Sequence, residues 1–107
     1  FQIACTRWAP DYADPTTYLN LFLTGNQNNY GKYSNAKVDS LMKQVQAESD
    51  LNKRWDLMTQ VEKTALDDLA YVPVFEKGAA ALKAKNVKGL VHSAVGVPYT
   101  FKYVTIK

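Results

Sequence analysis

The chain has 107 residues, 47% of them hydrophobic and 12% aromatic, with 13 Lys/Arg against 10 Asp/Glu and a formal net charge of +3. That length allows one small domain at most, or part of one. One cysteine excludes an intrachain disulfide framework, one histidine excludes a His pair, and no apolar run approaches the ~18 residues of a membrane span.

The first element is a strand. Phe1, Ile3 and Cys5 alternate with Gln2, Ala4 and Thr6, the period of a half-buried strand, and Cys5 inside that run reads as packing rather than a nucleophile. The pattern is already under way at Phe1, and a piece of this size buries only a modest share of its surface, so the expectation is a fragment of a longer protein.

The run ends in an acidic, aromatic turn, Arg7-Trp8-Ala9-Pro10-Asp11-Tyr12-Ala13-Asp14-Pro15. Trp8 and Tyr12 supply large faces, Pro10 and Pro15 restrict the backbone, and Asp11 sets a carboxylate between the rings. Such a turn can hold an ammonium group through a charge-assisted hydrogen bond and a cation–π surface. The plainer alternative packs Trp8 in a core and leaves Asp11 capping a turn. Asp14 has a local task, because Asp at a helix N-cap before Pro at N1 satisfies orphan N–H groups. Asp11 has none, which makes it the better candidate for a ligand contact.

Pro15 to Leu23 reads as a short helix stopped by Gly25. The loop from Gly25 to Gly31 displays several amides, free for a ligand or simply solvated. A helix capped by Ser34 follows, with Val38, Leu41, Met42 and Val45 at i, i+3, i+4 and i+7. Asp50 caps the next, which sets Leu51, Trp55, Met58, Ala65 and Leu69 on one side. A short link at Glu48-Ser49 makes the two a helical hairpin, with Trp55 and both methionines as packing. Thereafter Tyr71 to Phe75, Gly78 to Ala84 and Tyr99 to Ile106 read as extended runs, Pro73 marks an edge, and Tyr99, Phe101 and Tyr103 share one face.

Residues 1–76 carry seven Lys/Arg and ten Asp/Glu, whereas residues 77–107 carry six lysines and no acid. Such a break can mark a domain boundary. Those lysines are scattered among apolar residues, which favours a solvated face over a nucleic-acid surface. With no nucleophile–base pair, glycine-rich phosphate loop or metal-ligand spacing in view, neither an enzyme nor a metal or cofactor protein is expected.

From Trp8-Ala9-Pro10-Asp11-Tyr12-Ala13-Asp14-Pro15 onward the chain resembles the oligopeptide-binding proteins of bacterial ABC importers, the family 5 extracellular solute-binding proteins. The likeness runs on through Asn28-Asn29, Tyr33-Ser34-Asn35, Val38-Asp39-Ser40-Leu41 and Ala70-Tyr71-Val72-Pro73-Val74, and is strongest over residues 8–75. It implies an α/β fold, the C-terminal portion of a two-lobed type II periplasmic-binding-protein architecture built of a strand, a helical middle and terminal strands. Residues 1–77 would finish the second, ligand-binding lobe and 78–107 would return to the first.

The resemblance also implies a function. Asp11 matches the aspartate that binds a peptide's α-ammonium, Trp8 a pocket-lining tryptophan, and Ala9 a position that touches the peptide through its backbone. An extended peptide would exchange main-chain hydrogen bonds with the protein, and lobe closure would enclose it for delivery to the permease subunits. The implied location is extracytoplasmic, either periplasmic or as a lipoprotein on the outer face of the cell membrane. Cys5 and Arg7 depart from the arginine and glycine of enteric members, so the resemblance carries over neither a peptide length nor a partner for the ligand carboxylate. Relatives that carry nickel complexes, haem or signalling peptides remain as alternatives, as does an independent interaction domain that docks a partner through its strands.

Overall fold

The computed structural model describes residues 2–78 and 80–107. Helix α1 (Thr16–Leu19) runs into a 3-10 turn (Asn20–Phe22), and helices α2 (Ala36–Ala47) and α3 (Leu51–Asp67) follow as a hairpin. Four two-residue strands close the chain: β1 (Val87–Lys88), β2 (Val91–His92), β3 (Tyr99–Thr100) and β4 (Thr105–Ile106). They form two antiparallel ladders, β1 with β4 and β2 with β3, in which Val87 faces Ile106 and His92 faces Tyr99.

The core lies where the helical period places it. Val38, Leu41, Met42 and Val45 of α2 meet Met58, Val61 and Ala65 of α3, and Leu19 and Phe22 close one end. Tyr71 sets its ring edge-on to Phe22, with centroids 5.2 Å apart, which seats the chain on this core as it leaves α3. Each helix of the hairpin has its start satisfied by a side chain. Asp50 takes the N–H groups of Asn52 and Lys53, and Asn35, one residue beyond the expected Ser34, takes those of Lys37 and Val38. Ser34 instead meets the Thr24 hydroxyl at 3.0 Å.

The end of α3 corrects the expected apolar face. Ala70 N–H bonds the Ala65 carbonyl and Leu69 N–H that of Leu66, a Schellman closure that sets Leu69 at φ 55, where glycine is usual. Leu69 is therefore thrown outward and is 75% exposed. Leu51 sits in the first turn, also exposed, and Trp55 is 56% exposed rather than packed in the core.

The extended runs differ most from expectation. Residues 2–6, Tyr71 to Phe75 and the described part of Gly78 to Ala84 form no strand in the chain; Phe1 and Ala79 lie outside the described residues. Ile3 is 91% exposed and Phe75 82%. A strand needs a neighbour to accept its ladder bonds, and among the described residues these segments have none. The final run is broken by a turn at Lys102-Tyr103, so of its three aromatic residues Phe101 and Tyr103 are exposed and Tyr99 is half-buried, against His92.

The dimensions record the same deficit. The radius of gyration is 18.1 Å, against about 13 Å for a compact chain of this length. The accessible surface is 8635 Å², against roughly 6,000 Å² for a compact 12.0 kDa monomer.

Candidate functional site

The turn at Trp8 to Pro15 is held by the helix that follows it. Asp14 Oδ1 accepts from the Thr16 N–H at 2.9 Å and the Thr16 hydroxyl at 2.6 Å, which is the capping task expected of it, with Pro15 already in helical conformation. Arg54 of α3 also reaches Asp14 with both terminal guanidinium nitrogens, Nη1 and Nη2, at 2.7 and 3.1 Å. The Arg54 bond, more than any other contact, holds the Asp14 carboxyl far below the usual carboxylate range and raises the guanidinium in turn. This fork ties the turn to the hairpin across forty residues of sequence, a contact that the pattern gave no means to foresee.

Asp11 is placed differently. Its carboxylate is exposed and, among the described residues, accepts no hydrogen bond and joins no ion pair. Its backbone is fixed: Asp11 N–H donates to Thr17 Oγ1 at 3.1 Å, and Thr17 is itself buried. Tyr12 OH lies 3.3 Å from Thr16 Oγ1 and accepts from Asn20 Nδ2 at 3.2 Å, which steadies the phenol beside the turn.

Trp8 is half-buried and Ala9 exposed. The Trp8 indole N–H is buried and finds no acceptor among the described residues. A buried donor without an acceptor carries a cost. From the far end of the chain, Gly96 N–H donates to the Pro10 carbonyl at 3.3 Å, and Gly96 has φ 69. Gly96 is legible in the sequence as a turn residue, but its target is not. Thr17 is legible only as a polar residue on an apolar helix.

Two of the four side-chain amides between Gly25 and Gly31, those of Asn26 and Asn29, are committed to the fold. Asn29 is buried; its Nδ2 donates to the carbonyls of Leu23 and Tyr33, and its Oδ1 accepts from Tyr33 N–H. Asp39 accepts from Thr24 N–H, which lowers its carboxyl. Tyr33 OH and Asn35 Nδ2 both donate to Asp68 at 2.7 Å and lower it as well. Burial, with that bond to Asp68, pushes the Tyr33 phenol up to about 12.

A shallow groove of about 160 Å³ lies between α1 and α3, with Tyr18, Leu19, Trp55, Met58 and Glu62 along it; neither Trp8 nor Asp11 lines it. Among the described residues no three His, Cys, Asp or Glu side chains gather to hold a metal, and no helix is long and apolar enough to cross a membrane. What the turn offers is an exposed carboxylate, without a partner among the described residues, on a backbone tied to Thr17 and Gly96.

No protein-family model matches the chain. Curated relatives do. It is 36% identical over 90% of its length to the dipeptide-binding protein DppE of Bacillus subtilis, and 34% identical over 85% to the probable D,D-dipeptide-binding periplasmic protein DdpA of Escherichia coli. In both cases it spans 18% of the relative's length. Solved structures agree. The pheromone receptor PrgZ superposes with a TM-score of 0.81 at 35% identity, over 94% of this chain and 19% of that one. The substrate-binding domain of an oligopeptide ABC transporter from Bacillus anthracis gives 0.83 at 32%, over 94% and 20%. The α/β arrangement is thus a portion of the substrate-binding-protein fold, and the chain belongs to the family of dipeptide- and oligopeptide-binding proteins of ABC transporters.

Proposed function

We propose that the full-length protein bearing this chain captures short peptides between two lobes and presents them to the permease of an ABC importer, outside the cytoplasm, in the periplasm or as a lipoprotein. Residues 1–77 complete the second lobe and 78–107 return to the first. Asp11 binds the α-ammonium, Trp8 lines the pocket, and Ala9 meets the peptide backbone. The observation that carries this reading is the contrast within one turn: Asp14 is neutralised by Arg54 while Asp11, three residues away, keeps an exposed carboxylate without a partner among the described residues. A cation that arrives between the lobes meets that charge in a closing, drying cleft, where it counts most.

Several relatives carry peptide binding in their names, which supports the ligand class. The likeness to a pheromone receptor supports a signalling peptide as a second ligand reading. An independent docking module fits less well, since the chain is far more extended than a self-sufficient domain of its length. Calorimetric titration of the full-length protein with free and N-acetylated peptides of two to six residues tests the proposal. Saturable heat with the free-amine peptides alone supports it, and no heat with any of them contradicts it.

A further inference from the structure

The two contacts that fix Asp11 converge on one peptide group. The Pro10 carbonyl, which accepts from Gly96 N–H at 3.3 Å, and the Asp11 N–H, which donates to Thr17 Oγ1 at 3.1 Å, are the two ends of the same planar amide. Thr17 comes from α1 and Gly96 from the loop between β2 and β3, some eighty residues apart in sequence. The plane is therefore held from opposite sides, by an element that follows the turn directly and by one that belongs to the far segment.

Holding that plane fixes the N–Cα axis from which the Asp11 side chain departs, so that only the Asp11 φ and side-chain torsions remain to aim its carboxylate. Both partners are rigid. Thr17 is 4% exposed and stiff at χ1. The Gly96 loop is braced by Ser93 N–H on the Pro98 carbonyl and by Ser93 Oγ on the Val95 carbonyl. At φ 69 a side chain at Gly96 would be strained by its backbone conformation, and its Cβ would meet the Asp11 carbonyl oxygen at 3.4 Å.

We infer that Thr17 and Gly96 are positioning residues for the ammonium contact, and that the amide clamp between them orients the Asp11 carboxylate before peptide arrives. The inference rests on the proposed role of Asp11. It assigns a task to the terminal segment that is separate from crossing between lobes: the β2–β3 loop tunes selectivity for a free amine without touching the ligand.

The experiment is a double-mutant cycle in the full-length protein, read by calorimetric affinity for trialanine, tetraalanine and pentaalanine and their N-acetylated forms. Thr17→Val keeps the buried volume and removes the acceptor. It should weaken free-amine peptides about fivefold, the worth of one neutral hydrogen bond, leave the acetylated peptides unchanged, and have no further effect in an Asp11→Asn background. Thr17→Ser, which keeps the hydroxyl, should restore free-amine affinity. Gly96→Ala provides the second approach, from the other end of the amide, and should show the same selective loss. Equal losses for both peptide forms, losses that persist beside Asp11→Asn, or wild-type affinity in both Thr17→Val and Gly96→Ala would overturn the clamp. If Asp11→Asn itself leaves the preference for a free amine intact, or if no alanine peptide binds, the role of Asp11 fails and the clamp fails with it.

Discussion

Replacing Arg54 with methionine should loosen the turn from the hairpin. The side chain makes a two-pronged contact with Asp14 at 2.7 and 3.1 Å, and the two residues are 23% and 30% exposed, so water screens the pair in part. A fully exposed pair stabilises by at most ~1 kcal/mol, whereas hydrogen bonds to charged groups contribute ~1.5–3 kcal/mol. The intermediate burial places the coupling at about 1–2 kcal/mol. Asp14→Asn is the right second variant, since asparagine caps a helix as well as aspartate does and the Thr16 contacts survive.

Urea unfolding of the four full-length proteins of the cycle measures the coupling. Because the Asp14 carboxyl is depressed in the folded protein, the pair's contribution is fully present above the ordinary Asp value near ~3.9 and lost as pH falls through the lower folded value. The advantage of wild type over Arg54→Met should thus hold at about pH 5 and shrink steadily below about pH 4. A coupling under about 0.3 kcal/mol, or an advantage unaffected by acid, would refute the reasoning.

Three further outcomes follow from the same geometry. Asn29→Ala removes three hydrogen bonds from a buried site and should cost roughly 2–4 kcal/mol in urea unfolding, which makes it far more damaging than alanine at the half-buried Asn28, whose side chain makes no hydrogen bond among the described residues. Asp50→Ala leaves the Asn52 and Lys53 N–H groups uncapped and should cost about 1 kcal/mol, whereas Asp50→Ser should cost less than half of that. The Tyr33 phenol should ionise near about 12, seen as the alkaline absorbance step missing from Tyr33→Phe, and the stability it contributes should be intact below about pH 10 and lost as pH rises through the folded value.

What sequence could show was what neighbours in sequence decide. The α2–α3 core is legible because Val38, Leu41, Met42 and Val45 recur at helical spacing and need only the next helix to bury them. The Asp50 cap is legible for the same local reason, and the Ser34 cap misses Asn35 by one residue because both side chains can do the task. Residues 2–6 and Tyr71 to Phe75 carry strand composition but no strand, since ladder bonds require partners that the described residues do not supply. Leu69 reads as core by period, yet the helix stops at Asp67 and the Schellman turn redirects it.

At the site, the cap at Asp14 was legible from Pro15 alone, because proline at a helix start identifies which acid is the cap. The reach of Arg54 and of Gly96 was not, because each closes a gap of forty residues or more and no short-range pattern encodes it. Asn29 is hidden for another reason. Composition cannot tell which asparagine of Asn26, Asn28 and Asn29 the loop folds around.

The most direct test of the account is the affinity of full-length wild type and Asp11→Asn for one free-amine peptide and its N-acetylated counterpart. Loss of a desolvated, charge-assisted pair costs about 2–5 kcal/mol, so the free-amine peptide should bind the variant roughly thirty-fold to several-thousand-fold more weakly, with the acetylated peptide little changed. Equal losses for both peptides would contradict an ammonium contact at Asp11.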